Sequence, residues 1–286
     1  MRNPTIHDPR PTNHGIRGES GVSLVEMIVV IAITGIIAGA VAVFIQRPVE
    51  GYADAARRAE LTDIADTSLR RITRDLRTAL PNSIRTTTSG NVRYIEYLQT
   101  RGGGRYRSEK DSSDAGNPLD FTAAITDFDV VGTMPTLVSG DSIVIYNLTG
   151  DTTLAVANAY EGDNRSAYSS NTATTITIAS KQFPFASPGK RFQILQHPVT
   201  YACDPLPSGT GQLRRYWGYT PQRTPQPTPP AGGSNALLAT NVTDCSFTYS
   251  TSGASGRTGV VALTLQVEQS NEKVRLFQQV HVSNVP

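Results

Sequence analysis

The chain has 286 residues, enough for one large domain or two small ones, with 38% hydrophobic and 17% charged side chains. Its 26 basic and 24 acidic residues leave a formal net charge of +2. That balance excludes a nucleic-acid binder driven by phosphate neutralisation, and no basic-aromatic module is visible. Neither of the two cysteines has a His or a second Cys at ligand spacing, which argues against a thiolate metal centre.

The first informative stretch is Gly21-Val22-Ser23-Leu24-Val25-Glu26-Met27, which runs into an uncharged apolar segment from Met27 to Ile45. Nineteen helical residues span about 28 Å, close to one bilayer core. Glu26 is the lone carboxylate at the edge of that segment. A charge there is costly, so it calls for a function and a partner. A secretory signal peptide would need a basic n-region, a short apolar core and an A-x-A-like site behind it. Ala38-Gly39-Ala40 lies inside the apolar run instead, and Arg2, Arg10 and Arg17 are nearly offset by Asp8 and Glu19. Cleavage before the apolar segment, which is then retained, fits better.

This arrangement resembles the type IV prepilin (class III) signal. The resemblance implies that Gly21 is the last leader residue, Val22 the new N-terminus and Glu26 the fifth mature residue. Gly35 then falls at mature position 14, where pilins commonly carry glycine, and Val22 stands where the family usually has Phe. A prepilin peptidase would cut between Gly21 and Val22 and N-methylate Val22, and Glu26 would act in subunit docking. Loss of residues 1–21 removes Arg2, Arg10, Arg17, Asp8 and Glu19 and leaves 23 basic against 22 acidic residues. The three leader arginines bias the N-terminus toward the cytoplasm.

From Val49 to Leu80 an amphipathic helix is predicted. Leu61, Ile64, Ala65, Leu69, Ile72, Leu76 and Leu80 make one apolar stripe, with Arg57, Arg58, Asp63, Asp66, Arg70, Arg71, Arg74, Asp75 and Arg77 on the solvated remainder. Asp66 and Arg70 stand at i,i+4 with the acid first. Pro48 and Gly51 should loosen the join with the membrane segment, and Pro81 should end the helix.

Beyond Ser83 the period changes. Val92–Leu98, Ser142–Tyr146, Thr172–Ile178, Arg191–His197, Leu213–Tyr219, Val260–Val267 and Lys273–Val282 read as strands, the last two forming a hairpin. Arg101–Arg107, Lys110–Pro118 and Glu161–Asn171 read as turn-rich, and Thr220–Asn235, with five prolines, as an exposed loop. The boundaries are 1–21 leader, 22–47 membrane and assembly helix, 48–82 amphipathic helix and 83–286 β-rich domain, with one sheet-based core on the helix. On the trans side of a bacterial inner membrane a Cys203–Cys245 disulfide is expected, with two buried free thiols as the alternative.

No catalytic set is visible. His197 and His281, the two histidines outside the leader, lie in strand-like runs. Gly189-Lys190-Arg191 lacks P-loop spacing, and Gly253-Ala254-Ser255-Gly256 is a turn. Gly102-Gly103-Gly104 before Arg105 reads as a flexible turn, with an anion cradle as the weaker alternative. Asp111-Ser112-Ser113-Asp114 and Glu161-Gly162-Asp163-Asn164 lack EF-hand spacing.

Three further stretches narrow the resemblance: Pro48–Tyr52, Arg70–Arg77 with Ala79–Ser83, and Val280–Pro286. They are similar to the MSHA-type pilus biogenesis minor pilins of the MshO family, relatives of the secretion pseudopilin J group. The resemblance implies a type IV pilin-like α+β fold, a long N-terminal helix packed on a C-terminal antiparallel β-sheet domain. It also implies a non-enzymatic role without cofactors, in the initiation or tip complex of a pilus. The partners would be prepilin peptidase, other minor and major pilins, the inner-membrane assembly platform and membrane lipid. The chain would cross the inner membrane once, with the β-domain in the periplasm. A secretion pseudopilin, and a membrane-anchored adhesin or ligand-binding protein that never polymerises, are the alternatives.

Overall fold

The computed structural model describes residues 21–151, 156–224, 232–252 and 256–286. Residues 1–20 of the expected leader, the middle of the proline-rich loop and residues 253–255 lie outside the described residues. The chain divides into two units, Met1–Ala53 and Asp54–Pro286. Helix α1, Leu24–Leu76, contributes to both.

The helix runs through Pro48 and Gly51 and stops at Leu76, short of the expected end at Pro81. Tertiary pairing ends it first. Thr78 N and Oγ1 both donate to the Asp75 carbonyl, Ala79 bridges Gln99, and Leu80 N donates to Leu98 O at 2.8 Å. The chain has therefore left the helix for the sheet before the proline is reached.

Eleven strands follow: β1 Arg85–Ser89, β2 Val92–Tyr106, β3 Ile125–Val131, β4 Ser142–Ile145, β5 Arg165–Asn171, β6 Thr175–Lys181, β7 Arg191–Asp204, β8 Gly211–Trp217, β9 Ser234–Ser252, β10 Thr258–Gln269 and β11 Glu272–Ser283. A long N-terminal helix followed by a large antiparallel sheet makes the chain α+β. The central pair is β2 and β7, joined from Arg93↔Cys203 to Arg105↔Arg191. On one side the order β7-β8-β9-β10-β11 continues as an open sheet. On the other, β7-β4-β5-β6-β3 returns to β2 through Arg105↔Val131 and Tyr106↔Val130, closing a ring of six strands.

The core is accordingly divided, where one core was expected. The larger part packs Leu61, Ala65, Leu69, Ile72 and Leu76 of α1 on the open sheet. A second fills the ring with Phe128, Ile143, Ile176, Phe183, Phe192 and Ile194. Segments expected as turns became strands. Gly102–Gly104 lies within β2, and a Cβ on Gly104 would come within 2.7 Å of the Phe192 ring, so glycine there admits the aromatic that fills the ring. Arg165–Asn171 is β5. The C-terminal hairpin forms as expected, and Ser270 and Asn271 turn it with φ of 51° and 66°, the pair of positive values a type I′ turn requires.

Asp75 was expected on the solvated face and is buried. Its carboxylate accepts from Arg215 Nε of β8 at 2.9 Å and from the Tyr201 hydroxyl of β7 at 2.7 Å, while Arg71 approaches from outside at 3.2 Å. Arg215 also donates to Gln99 Oε1 at 3.2 Å and lies 4.9 Å from the Trp217 ring centroid. The reason is geometric: on α1 Asp75 stands beside Leu76 and Ile72, at the margin of the stripe that meets the sheet. A second buried pair, Arg85 and Glu96 at 2.7 Å, ties β1 to β2. Arg85 further donates to the Gln222 and Arg223 carbonyls, and Tyr219 donates to Glu96 at 2.8 Å. Burial pushes the Glu96 carboxyl up, against the opposing pull of Arg85 and the Tyr219 hydroxyl. The exposed Asp66–Arg70 pair also forms, at 2.6 Å.

Cys203 of β7 and Cys245 of β9 are joined by a disulfide within the larger core, 42 residues apart in sequence.

Removing one partner of a buried ion pair leaves a bare charge, so Asp75→Ala should cost about 3–5 kcal/mol in urea denaturation. Arg71→Ala, which removes the half-exposed partner, should cost under about 1 kcal/mol. Replacing both cysteines by serine should lower stability by about 4 kcal/mol, the loop-closure value for a ring of this length. Reductant added to the unaltered chain should reproduce that loss.

Candidate processing and docking segment

Gly21, Val22 and Ser23 precede the helix without regular structure, and none of the described residues lies within 4 Å of where a Gly21 Cβ would stand. Ser23 then begins the helix. Its Oγ accepts from Glu26 N at 3.2 Å and its carbonyl from Met27 N at 3.1 Å. Ser23-Leu24-Val25-Glu26 has the Ser-x-x-Glu spacing of a capping box. This local signal went unread in the sequence analysis, where Glu26 was considered only as a charge.

Glu26 therefore has a structural reason to be where it is. It lies in the first turn, where the unpaired N–H groups and the helix dipole favour negative charge. Among the described residues its side chain forms no hydrogen bond or ion pair. From Leu24 to Ile45 the apolar side chains are open, with Leu24 77%, Ile31 66%, Ile36 73% and Phe44 80% exposed. Mean hydropathy over the best window is 2.9 and none of it is buried. The helix is long and apolar enough to cross a membrane. The one hydroxyl deep in the segment, Thr34, donates back to the Val30 carbonyl and so carries no unmet donor into an apolar medium.

The arrangement offers a bond after Gly21, a potential α-amine at Val22, a capped turn and an unpartnered carboxylate. In an apolar medium a bare carboxylate costs several kcal/mol.

The remaining positions singled out by sequence serve the fold or stand apart. His197 is half-buried on β7, its Nδ1 3.2 Å from the Pro198 carbonyl; burial, then the Arg215 and Arg101 charges, lower its pKa against the pull of backbone hydrogen bonds. His281 is exposed on β11. Asp111 accepts from the Ser113 and Ala115 amides, which hold its carboxyl below the usual range, and Asp163 accepts from Ala157 and Asn158 N. Lys190 sits in a turn with φ of 54°. Among the described residues no group of three His, Cys, Asp or Glu side chains is placed to hold a metal.

The family model for the prokaryotic N-terminal methylation motif matches residues 16–42. No curated protein and no solved structure matches the chain. The matched motif indicates a prokaryotic prepilin-like protein of the type IV pilin kind, a structural and not an enzymatic class. Together with the apolar helix it points to processing by prepilin peptidase, to pilin assembly partners and to anchoring in the inner membrane.

Proposed function

We propose that this chain is a minor pilin-like subunit required for assembly of a type IV pilus of the MSHA type, acting in its initiation or tip complex. Prepilin peptidase cuts after Gly21 and methylates the Val22 amine. Glu26 of one subunit then pairs with the N-terminal amine of a neighbour, and the apolar face of α1 passes from lipid into the filament core. The β-domain stands in the periplasm.

The observation that carries this reading is the unpartnered Glu26 carboxylate at the capped head of an exposed apolar helix, inside the methylation motif. An amine one helical turn upstream on another subunit is the cation that completes it. In the apolar setting an unpaired charge costs several kcal/mol, so pairing selects the docked register.

The MSHA assignment rests on the resemblance of three stretches. Two of them meet in space: Asn82 Nδ2 donates to the Asn284 carbonyl at 3.2 Å and to the Asn147 carbonyl at 3.0 Å. A secretion pseudopilin shares all of this chemistry. The two are separated by deleting the gene and scoring surface pili against protein export.

Intact-mass and N-terminal peptide analysis of the membrane-extracted protein should find a chain beginning at methylated Val22. A chain beginning near Met1 would identify a plain anchor, and one beginning after Ala40 a released periplasmic protein; either overturns the proposal. Glu26→Ala should insert and be processed normally, yet reduce assembled pili by at least about tenfold, the factor that corresponds to one lost interaction of about 1.4 kcal/mol.

A further inference from the structure

A polar cleft of about 760 Å³ opens on the β-domain where β2, β7, β4 and β5 lie side by side, lined by Arg101, Asp141, Arg165, Gln196, His197 and Tyr219 among others. Its size falls in the range of small-molecule sites. Most of its charge is internally satisfied. Asp141, nearly fully buried, accepts from Arg101 Nε at 3.1 Å and from Val138 N at 2.9 Å. With its side-chain oxygen turned toward Arg101, Gln196 accepts from Nη1 at 3.2 Å and Nη2 at 2.9 Å. Glu161 pairs with Arg223, and the Tyr219 hydroxyl is committed to Glu96.

Arg165 is the exception. Its guanidinium packs over Gly162, 3.4 Å from where a Cβ would stand, and among the described residues its side chain makes no hydrogen bond or ion pair. Burial alone lowers its pKa, with no opposing carboxylate. The Lys181 ammonium, bound to the Gly162 carbonyl at 2.7 Å, adds a second cation to the same loop. A half-buried charge without a partner works against the fold that carries it. His197 supplies a different group. Its Nδ1 lies by the Pro198 carbonyl, so in the neutral ring Nδ1–H donates there and Nε2 is left as an acceptor.

We propose that this cleft binds a hydroxylated organic carboxylate of about the size of a uronic acid, its carboxylate on Arg165 and a hydroxyl donating to His197. Either a free hydroxy acid or an acidic sugar residue presents that chemistry. The site lies wholly in the second unit and is independent of the processing of Val22.

Calorimetric titration of the detergent-solubilised full chain with sodium glucuronate tests this, with glucose and inorganic phosphate as controls. Glucuronate should bind saturably and both controls should fail. Arg165→Gln should weaken glucuronate binding about 10- to 100-fold, the loss expected for a charged hydrogen-bonded contact. The same variant, without ligand, should melt at or above the temperature of the unaltered chain, because it removes a charge nothing in the fold pairs. Absence of saturable glucuronate binding overturns the proposal, as does equal binding by Arg165→Gln. Phosphate binding as tight as glucuronate overturns the carboxylate assignment. A marked loss of melting temperature in Arg165→Gln would make Arg165 a structural residue and overturn it too.

Discussion

A carboxylate cannot be enclosed between a helix and a sheet unless its charge is met, and this requirement at Asp75 fixes how the second half of α1 lies on the β-domain. Hydrophobic burial of Leu61, Ala65, Leu69, Ile72 and Leu76 brings the helix to the sheet, but apolar contact is tolerant of small slides along the axis. The Asp75 carboxylate is not. It must meet Arg215 from β8 and the Tyr201 hydroxyl from β7 at once, and a shift of one residue would carry it away from both. The network is therefore a device for register more than for stability, since a buried pair often adds little over well-packed apolar residues.

That register has consequences along the chain. Because α1 ends beside Asp75, Leu80 reaches Leu98 of β2 and the segment through Ser83 is laid across the junction of the open sheet and the strand ring. Asn82, with φ of 60°, holds both the Asn147 and Asn284 carbonyls, joining the exit of the helix to the end of β11. The Tyr160 hydroxyl donates to the Ser83 carbonyl while its ring lies 3.5 Å from the Arg85 guanidinium. Arg85 in turn holds the base of the proline-rich loop through Gln222 and Arg223. One buried chain of polar contacts thus runs from helix exit to loop base.

The sequence carried the parts of this that depend on local pattern. The membrane segment, the apolar stripe, the Asp66–Arg70 pair and the β10–β11 hairpin are all written in spacing and turn chemistry. What it did not carry depends on partners far away in the chain. Asp75 looks like any solvated acid until Arg215 is placed against it, and Gly102–Gly104 looks like a turn until Phe192 demands the room. Strand β5, Arg-Ser-Ala-Tyr-Ser-Ser-Asn, has little strand character of its own and is held by β4 and β6. The methylation motif was legible because it is linear: Gly21, Val22 and Glu26 lie within six residues. Only the Ser23 cap was overlooked, although Ser-x-x-Glu stood in plain view.

Glu26 and Arg165 are the same physical problem posed in opposite sign and in separate units. Each is an ionisable side chain whose head group has no partner among the described residues. The helix N-terminus gives Glu26 a favourable place but no partner, and the fold gives Arg165 neither. Proteins retain such groups where an incoming partner repays them, at the cost of stability in its absence. In the proposed function the partner in the first unit would be a subunit amine that arrives with an apolar helix, and the outcome would be assembly. In the second the surroundings are an open polar cleft, and what can enter it is a small acceptor-rich molecule. Under the two proposals the labour of the chain is divided: one end would be completed by its neighbours in the assembly, the other by a ligand.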